Sequence, residues 1–246
     1  MSATPESGEP RIAWLHIGLH KTGTTALQRS LRLGREALAA RGVGTPDLGP
    51  DPGWPLIHWA AADRSPSRNP RRAAHAGPEA RTAVAAQMTA LMEDRSLRAL
   101  VLSAEQFAGR RKRVDVEALK ARLEAAGWQV RALAYLRPAA DYAVSMISQR
   151  IKAGATLAEA SARPPLPRAR AVLRPWLRVL GPRALHLRRY DPSAFPDGDV
   201  LRDFALALDL PAGALPAPPT SARNARPSAR AIAVLDRYNQ ALTALR

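Results

Sequence analysis

Four short apolar runs, separated by segments of helical periodicity, constrain the fold of this chain more than any other feature. The segments between the runs carry apolar residues at a spacing of three to four, which is typical of amphipathic helices. Strands separated by helices pair in parallel through right-handed crossovers. The sequence therefore predicts an α/β fold, with an open, mainly parallel β-sheet and helices on both faces. The runs are RIAWLHIG (11–18), LRALVLS (97–103), WQVRALAYL (128–136) and ALHLRRY (184–190).

The segments between these runs predict helices with recognisable ends. Gly127 and Gly181 stop two of them, and Pro138 suits the first turn of another. The chain is expected to form one domain spanning residues 1–246, with an insertion rich in Pro, Gly and Arg at about 44–80. The helices are predicted at 24–41, 79–95, 115–126, 138–151, 169–180, 200–208 and, at the C-terminus, about 227–245.

The composition limits the kinds of site and compartment. The chain contains no cysteine, which excludes disulfides, thiolate metal ligands and a cysteine nucleophile. No stretch approaches the roughly 20 apolar residues that cross a bilayer. The first residues lack the basic-then-apolar pattern of a signal peptide. We therefore expect a cytoplasmic protein with no membrane span.

The net charge of +16 points to an anionic partner. Only four of the 37 basic residues are lysines, at positions 21, 112, 120 and 152. The arginines are scattered, and few aromatic residues lie between them to stack on bases, which disfavours nucleic-acid binding. We expect a basic groove for an anionic cofactor or substrate instead.

The turn between the first strand and the first helix carries the strongest chemical signal. In HIGLHKTGTT (16–25) a strand ends and a helix begins near Thr24. Sites in parallel α/β sheets lie at the carboxyl ends of strands, and helix N-termini bind anions. Lys21 adds a cation, Gly23 permits close approach of the backbone, and two threonine hydroxyls follow. The sequence predicts an anion site, but not a Walker A loop, because the lysine precedes the glycine.

The stretch HIGLHKTGTTALQ resembles the 5′-phosphosulfate loop of bacterial sulfotransferases, which carry K-T-G-T-T after the first strand. These enzymes transfer a sulfuryl group from 3′-phosphoadenosine 5′-phosphosulfate to an acceptor hydroxyl or amine without a metal, and they release 3′-phosphoadenosine 5′-phosphate. The resemblance implies a P-loop nucleotide-kinase-like fold. It places Lys21 at the bridging oxygen and the sulfate, and it assigns the 5′-phosphate to Thr22, Gly23, Thr24 and Thr25.

A second match lies in LRPAADYAVSMISQ (136–149). Arg137 follows a predicted strand and Ser145 lies eight residues later, in the next helix. In the family, an Arg and a Ser in this pattern bind the 3′-phosphate of the nucleotide, and the guanidinium fork suits a phosphate dianion. Taken alone, the segment would favour a salt-bridged Arg and a solvent-facing Ser; the match to the loop at 21–25 favours the phosphate site.

Weaker resemblance extends over most of the chain. It covers LVLSAEQF, ending at Phe107, the late strand and helix of residues 185–204, and residues 223–242. The Gly-x-x-Gly-x-x-Lys/Arg run that closes over the nucleotide in the cytosolic branch is absent. The candidates to replace it are Asn224, Arg226 and Ser228.

The resemblance implies a general base, which is a His or a Glu in these enzymes. Glu105 follows a strand at the site-forming edge, and its alternative role is a helix cap or an ion-pair partner. His58 resembles a histidine that begins a helix after the variable loop in this group; it is a candidate base or acceptor ligand, and its alternative role is packing beside Trp59. His20 is interpreted as a spacer within the loop. Sulfuryl transfer is an in-line displacement in which charge stabilisation dominates, so Lys21 is the main catalytic candidate.

The acceptor is expected to be a hydroxyl of a glycan, a lipid-linked sugar or a small metabolite. Residues 44–80 and 150–170 are the expected recognition segments, because loops carry specificity. Two other readings remain open from the sequence. One is a kinase-like phosphotransferase with a variant phosphate loop, which the lack of an evident Mg²⁺ carboxylate disfavours. The other is a non-catalytic nucleotide-binding homologue.

Overall fold

The computed structural model describes residues 10–49, 52–60, 77–109, 113–210, 213–218 and 227–244. The chain divides into two compact units. The first comprises residues 1–136 and 169–218, and the second comprises residues 137–168 and 219–246. Residues 61–76 of the expected insertion lie outside the described part of the chain. Within that part, none of the helices is long and apolar enough to cross a membrane.

A five-stranded sheet forms the centre of the first unit. All strand pairs are parallel, in the order β2-β3-β1-β4-β5, which confirms the predicted open parallel sheet. Strand β2 is only two residues long and was not predicted from the sequence. The strands are β1 (Ile12–Ile17), β2 (Val43–Gly44), β3 (Ala99–Ala104), β4 (Gln129–Leu136) and β5 (Leu185–Arg189).

Helices of the first unit cover both faces of this sheet, as predicted. They are α1 (Thr24–Leu33), α2 (Arg35–Ala39), α3 (Gly53–Ala60), α4 (Pro78–Glu93), α5 (Arg113–Ala125), α8 (Ala169–Leu180) and α9 (Val200–Ala207). Leu15 of β1 belongs to a buried cluster with residues of α3, α4, α5 and α8. Its neighbour Trp14 belongs to a second cluster with residues of α1, α2 and α9. The two-residue alternation of a strand therefore builds a core on each side.

The helix predicted over residues 24–41 is interrupted at Gly34. A Cβ at this glycine would lie 2.8 Å from Cδ of Pro216, so the neighbouring segment packs directly on the backbone. The buried Ser30 hydroxyl donates to the Pro216 carbonyl at 2.7 Å and anchors the same segment. Tertiary packing on a glycine thus ends α1 where the periodicity alone predicted continuation.

The second unit contains three helices in its described residues, α6 (Ala139–Lys152), α7 (Leu157–Ala162) and α10 (Ala229–Ala244). The buried Asn239 amide donates to the carbonyls of Ile151 and Ala155, each at 2.8 Å, and so satisfies the end of α6. Thr156 and Glu159 form a capping box at the start of α7, which was not predicted.

A buried polar network ties α9 to the sheet in the first unit. The Asp203 carboxylate accepts from the Tyr135 hydroxyl at 2.7 Å and from two guanidinium nitrogens of Arg188 at 2.7 and 2.6 Å. Burial, followed by the hydrogen bond to Asp203, raises the pKa of Tyr135, so the phenol stays protonated and donates. The network fixes α9 against the carboxyl-end halves of β4 and β5.

We expect Asp203→Asn to lower the free energy of unfolding by about 2 to 3 kcal/mol, because it removes the anionic partner of a partly buried guanidinium. Urea denaturation measures the change. Asp197→Asn is the matched control, since Asp197 pairs with Arg202 on the surface and should cost less than about 1 kcal/mol. Equal losses in the two variants would contradict a supporting role for the network.

Candidate active site

The loop between β1 and α1 begins at the carboxyl end of the central strand. The Gly18 amide donates to the Ala104 carbonyl at 3.1 Å, which extends the β1–β3 pairing by one residue. Lys21 and Gly23 both have left-handed backbones, with φ of 67° and 77°. A lysine rarely adopts this conformation, so the loop is a tight, specifically held turn.

Gly18 is required where the loop packs against itself. A Cβ at this position would lie 2.5 Å from Cγ2 of Thr24 and 3.0 Å from Cα of Glu105. No larger residue fits without displacing backbone. The absent side chain therefore lets the start of α1 and the turn after β3 approach the same point.

The three threonines of the loop have different environments. The hydroxyl of buried Thr22 donates to the Leu19 carbonyl at 2.6 Å, and the hydroxyl of buried Thr24 lies 3.5 Å from the same oxygen. The Thr25 side chain is exposed. Thr22 and Thr24 thus hold the loop together through their hydroxyls, while Thr25 presents its side chain to solvent.

The N-terminus of α1 is suited to an anion. Gly23 occupies the N-cap position, and among the described residues no side chain caps the helix. The first turn also lacks an acidic residue. The first N–H groups of a helix have no intrahelical acceptor and carry the positive end of its dipole. Lys21 lies three residues before the helix and adds a cationic side chain to the same loop.

Glu105 lies beside this loop, at the start of the 3₁₀ turn Glu105–Ala108 that follows β3. Its Oε1 lies 2.7 Å from Nδ1 of His20, and both side chains are partly exposed, at 45% and 64%. The hydrogen bond to Glu105 raises the pKa of His20, and the same bond, helped by the charge of Lys21, lowers the pKa of Glu105. The pair is therefore a partly exposed histidine–carboxylate dyad between the loop and the turn after β3.

Sequence reasoning missed the pairing of His20 with Glu105, since His20 was interpreted as a spacer. The signal lay in the strand register. Ile17 pairs with Ala104, and His20 and Glu105 follow these two residues by three positions and one position. Their proximity follows once β1 and β3 are known to be neighbours, which neither residue reveals alone.

His16, by contrast, is fully enclosed. Its Nδ1 lies 2.8 Å from the Ser103 hydroxyl, and its ring packs edge-on against Phe204. Burial lowers the pKa of His16 to about 3, so the ring is neutral. The neutral imidazole occupies the core beneath the loop and is not accessible to a substrate.

His58, the second base candidate, lies half-buried on α3. Gly53 of the same helix packs against Gln106, the residue after Glu105. His58 lies in the last turn of this helix and not at its start, because the helix already begins at Gly53. The structure therefore brings Glu105 to the loop through His20 and places His58 on the helix whose first residue packs against the turn of Glu105.

The candidates for the 3′-phosphate belong to the second unit. Arg137 directly follows β4, and Ser145 lies in the second turn of α6; both are half-buried. Asn224 and Arg226 lie outside the described residues. The Ser228 hydroxyl accepts from the Ala231 amide at 3.1 Å and caps α10. In the ranges that the structure describes, no group of three or more acidic or histidine side chains is arranged to hold a metal.

Two solved structures are similar to this chain. One is a sulfotransferase from Alicyclobacillus acidocaldarius, with 16% identity over 97% of this chain and 96% of that chain and a TM-score of 0.46. The other is the sulfotransferase domain from the Synechococcus PCC 7002 olefin synthase, with 14% identity over 99% of this chain and 98% of that chain and a TM-score of 0.38. No family model and no curated protein matches the chain significantly. At these identities and TM-scores the likenesses do not establish a reaction, and the functional assignment depends on the residues of the site.

We expect Gly23→Ala to destabilise the protein more than Gly181→Ala. Both glycines have nearly the same φ, 77° and 78°. The backbone cost of a left-handed alanine, about 1 to 2 kcal/mol, is therefore the same in each variant. Only at Gly23 would the new Cβ approach another residue closely, at 3.2 Å from Cγ1 of Val200. Urea denaturation of both variants measures the difference. Equal destabilisation would show that packing beneath the loop does not constrain it.

Proposed function

We propose that this chain is a sulfotransferase that transfers the sulfuryl group of 3′-phosphoadenosine 5′-phosphosulfate to an acceptor hydroxyl. The observation that carries the proposal is the loop after β1. It combines Lys21, a left-handed Gly23 and an uncapped helix N-terminus at the carboxyl end of the central strand. This geometry supports binding of a phosphate-type anion, and the K-T-G-T-T spelling supports a phosphosulfate.

The loop would act mainly on the leaving group. As the bond from sulfur to the bridging oxygen breaks, negative charge accumulates on the 5′-phosphate. The Lys21 ammonium and the first N–H groups of α1 would neutralise that charge, and fixed donors of this kind lower the barrier because they need no reorganisation. The buried hydroxyls of Thr22 and Thr24 hold the loop together, and the exposed Thr25 hydroxyl would donate to the phosphate.

The 3′-phosphate is assigned to Arg137 and Ser145. This part of the proposal rests on residue type and spacing, since a guanidinium pairs bidentately with a phosphate dianion. It makes a specific claim about the nucleotide, because ADP and AMP lack the 3′-phosphate. Preference for the 3′-phosphorylated nucleotide is therefore the property that Arg137 should control.

The acceptor is proposed to be a hydroxyl of a glycan, a lipid-linked sugar or a small metabolite. The Glu105 carboxylate and the His58 imidazole are the candidate general bases that would accept the proton of this hydroxyl. Glu105 contacts the loop through its 2.7 Å bond to His20. No step of the proposed mechanism is assigned to a metal.

We expect 3′-phosphoadenosine 5′-phosphate to bind more tightly than ADP or AMP in isothermal titration calorimetry. Lys21→Ala and Arg137→Ala should each weaken binding by about 10- to 100-fold, the usual value of a charge-assisted contact. Only Arg137→Ala should also remove the preference over ADP. Lys120→Ala is the matched control, because Lys120 pairs with Glu124 on α5, and its binding should be unchanged.

Three results would contradict the proposal. Equal or tighter binding of ADP or ATP, especially with Mg²⁺, would favour a kinase-like phosphotransferase. Binding of no nucleotide would exclude the proposed co-substrate altogether. Binding of the 3′,5′-bisphosphate without any sulfuryl transfer to a panel of hydroxyl acceptors would favour a non-catalytic nucleotide-binding protein.

A further inference from the structure

The His20–Glu105 dyad lies at the same loop to which the phosphosulfate is assigned. His20 lies in the anion loop itself, next to Lys21, and 64% of its side chain is exposed. Its Nδ1 is held 2.7 Å from Glu105, whose backbone is fixed by the close approach of Gly18. The imidazole is thus both accessible and oriented.

The contact defines which nitrogen is available for chemistry. A carboxylate can only accept, so in the neutral ring Nδ1 carries the hydrogen that points at Glu105. The lone pair then lies on Nε2, on the opposite side of the ring from the carboxylate. A carboxylate that holds an imidazole in one tautomer is the arrangement that activates histidine bases in hydrolases.

We propose that His20 is the general base of the transfer and that Glu105 is the residue that positions it. This inference rests on the proposed sulfotransferase function. It gives the loop two tasks, binding of the donor and removal of the acceptor proton. It also changes the role of Glu105 from base to positioning residue, because the carboxylate already accepts from His20.

The step balances as follows. The acceptor oxygen forms a bond to sulfur, and the bond from sulfur to the bridging oxygen breaks, with its electron pair remaining on the 5′-phosphate of the departing 3′,5′-bisphosphate. The acceptor proton passes to Nε2 of His20, and the resulting imidazolium faces the Glu105 carboxylate. Loss of that proton to solvent restores the neutral ring for the next cycle.

The charges around His20 fix the direction of the pH dependence. Glu105 raises the pKa of His20, whereas partial burial and Lys21 lower it, and the net shift is upward from 6.5. The active base is the neutral ring, so the rate should increase as the pH rises through a value above 6.5. Removal of the Glu105 charge should move this increase to lower pH.

The first experiment is an NMR titration of ¹⁵N-histidine-labelled protein. We expect His20 to show Nδ1–H when neutral and a pKa that falls by at least half a unit in Glu105→Gln. Glu124→Gln, which removes an exposed ion pair on α5, is the control and should leave the His20 titration unchanged. If Glu105→Gln leaves both the tautomer and the pKa of His20 unchanged, the positioning role of Glu105 is overturned.

The second experiment measures release of labelled sulfate from the ³⁵S-labelled donor, with water as the acceptor. We expect His20→Gln and His20→Ala to lower the rate by about 10²- to 10⁴-fold, the usual contribution of a general base. Exogenous imidazole should restore part of the rate of His20→Ala. Glu105→Gln should lower the rate less and move the acid limb of the pH profile to lower pH. His186→Gln, on β5, is the control.

Calorimetry separates this inference from the proposed function. The His20 variants should bind 3′-phosphoadenosine 5′-phosphate within about threefold of wild type, since His20 is assigned to the acceptor proton and not to the nucleotide. If both proteins bind the nucleotide but His20→Gln releases sulfate as fast as wild type, the base assignment is overturned and the sulfotransferase proposal is not. If the wild-type protein does not bind 3′-phosphoadenosine 5′-phosphate, the sulfotransferase proposal itself is overturned.

Discussion

The hydrogen bond from the Gly18 amide to the Ala104 carbonyl fixes the geometry on which the site depends. It continues the β1–β3 register past the strand ends, so the loop after β1 and the turn after β3 emerge side by side. The absence of a side chain at Gly18 then lets Thr24 and Glu105 close on the same point. Without this contact, neither the uncapped start of α1 nor the His20–Glu105 pair would have a defined position.

Residues that follow β5 and begin α9 pack against the loop. Gly23 packs against Val200 at the start of α9 and against Tyr190, just beyond β5. Helix α9 is held against strand β5 by Asp203, which lies on α9 and accepts two hydrogen bonds from Arg188 of β5. The elements that pack against the loop thus hold the Asp203 carboxylate buried and paired with Arg188. Glu105 lies beside the loop, where its carboxylate is hydrogen-bonded to His20 and the charge of Lys21 helps to lower its pKa.

Much of the fold was readable from the sequence because buried parallel strands are apolar runs and their helices carry a clear period. The position of the loop followed from the end of one run and the start of the next helix. The two-residue strand at Val43 was missed, and the helix that the resemblance places from His58 onward begins at Gly53, since a Pro- and Gly-rich segment gives no periodic signal. The inward turn of the Thr22 hydroxyl and the pairing of His20 with Glu105 depend on strand register and loop conformation, which residue types alone do not encode.

The central claim is that the loop of residues 18–25 binds the 5′-phosphate end of the nucleotide. The most direct measurement is a ¹H–¹⁵N titration of the protein with 3′-phosphoadenosine 5′-phosphate. The account predicts that the largest amide shifts fall on Thr24 and Thr25 at the start of α1 and on Gly23 before it, and that Lys21→Ala reduces them. Saturable binding that leaves these amides unchanged and shifts others would contradict the account.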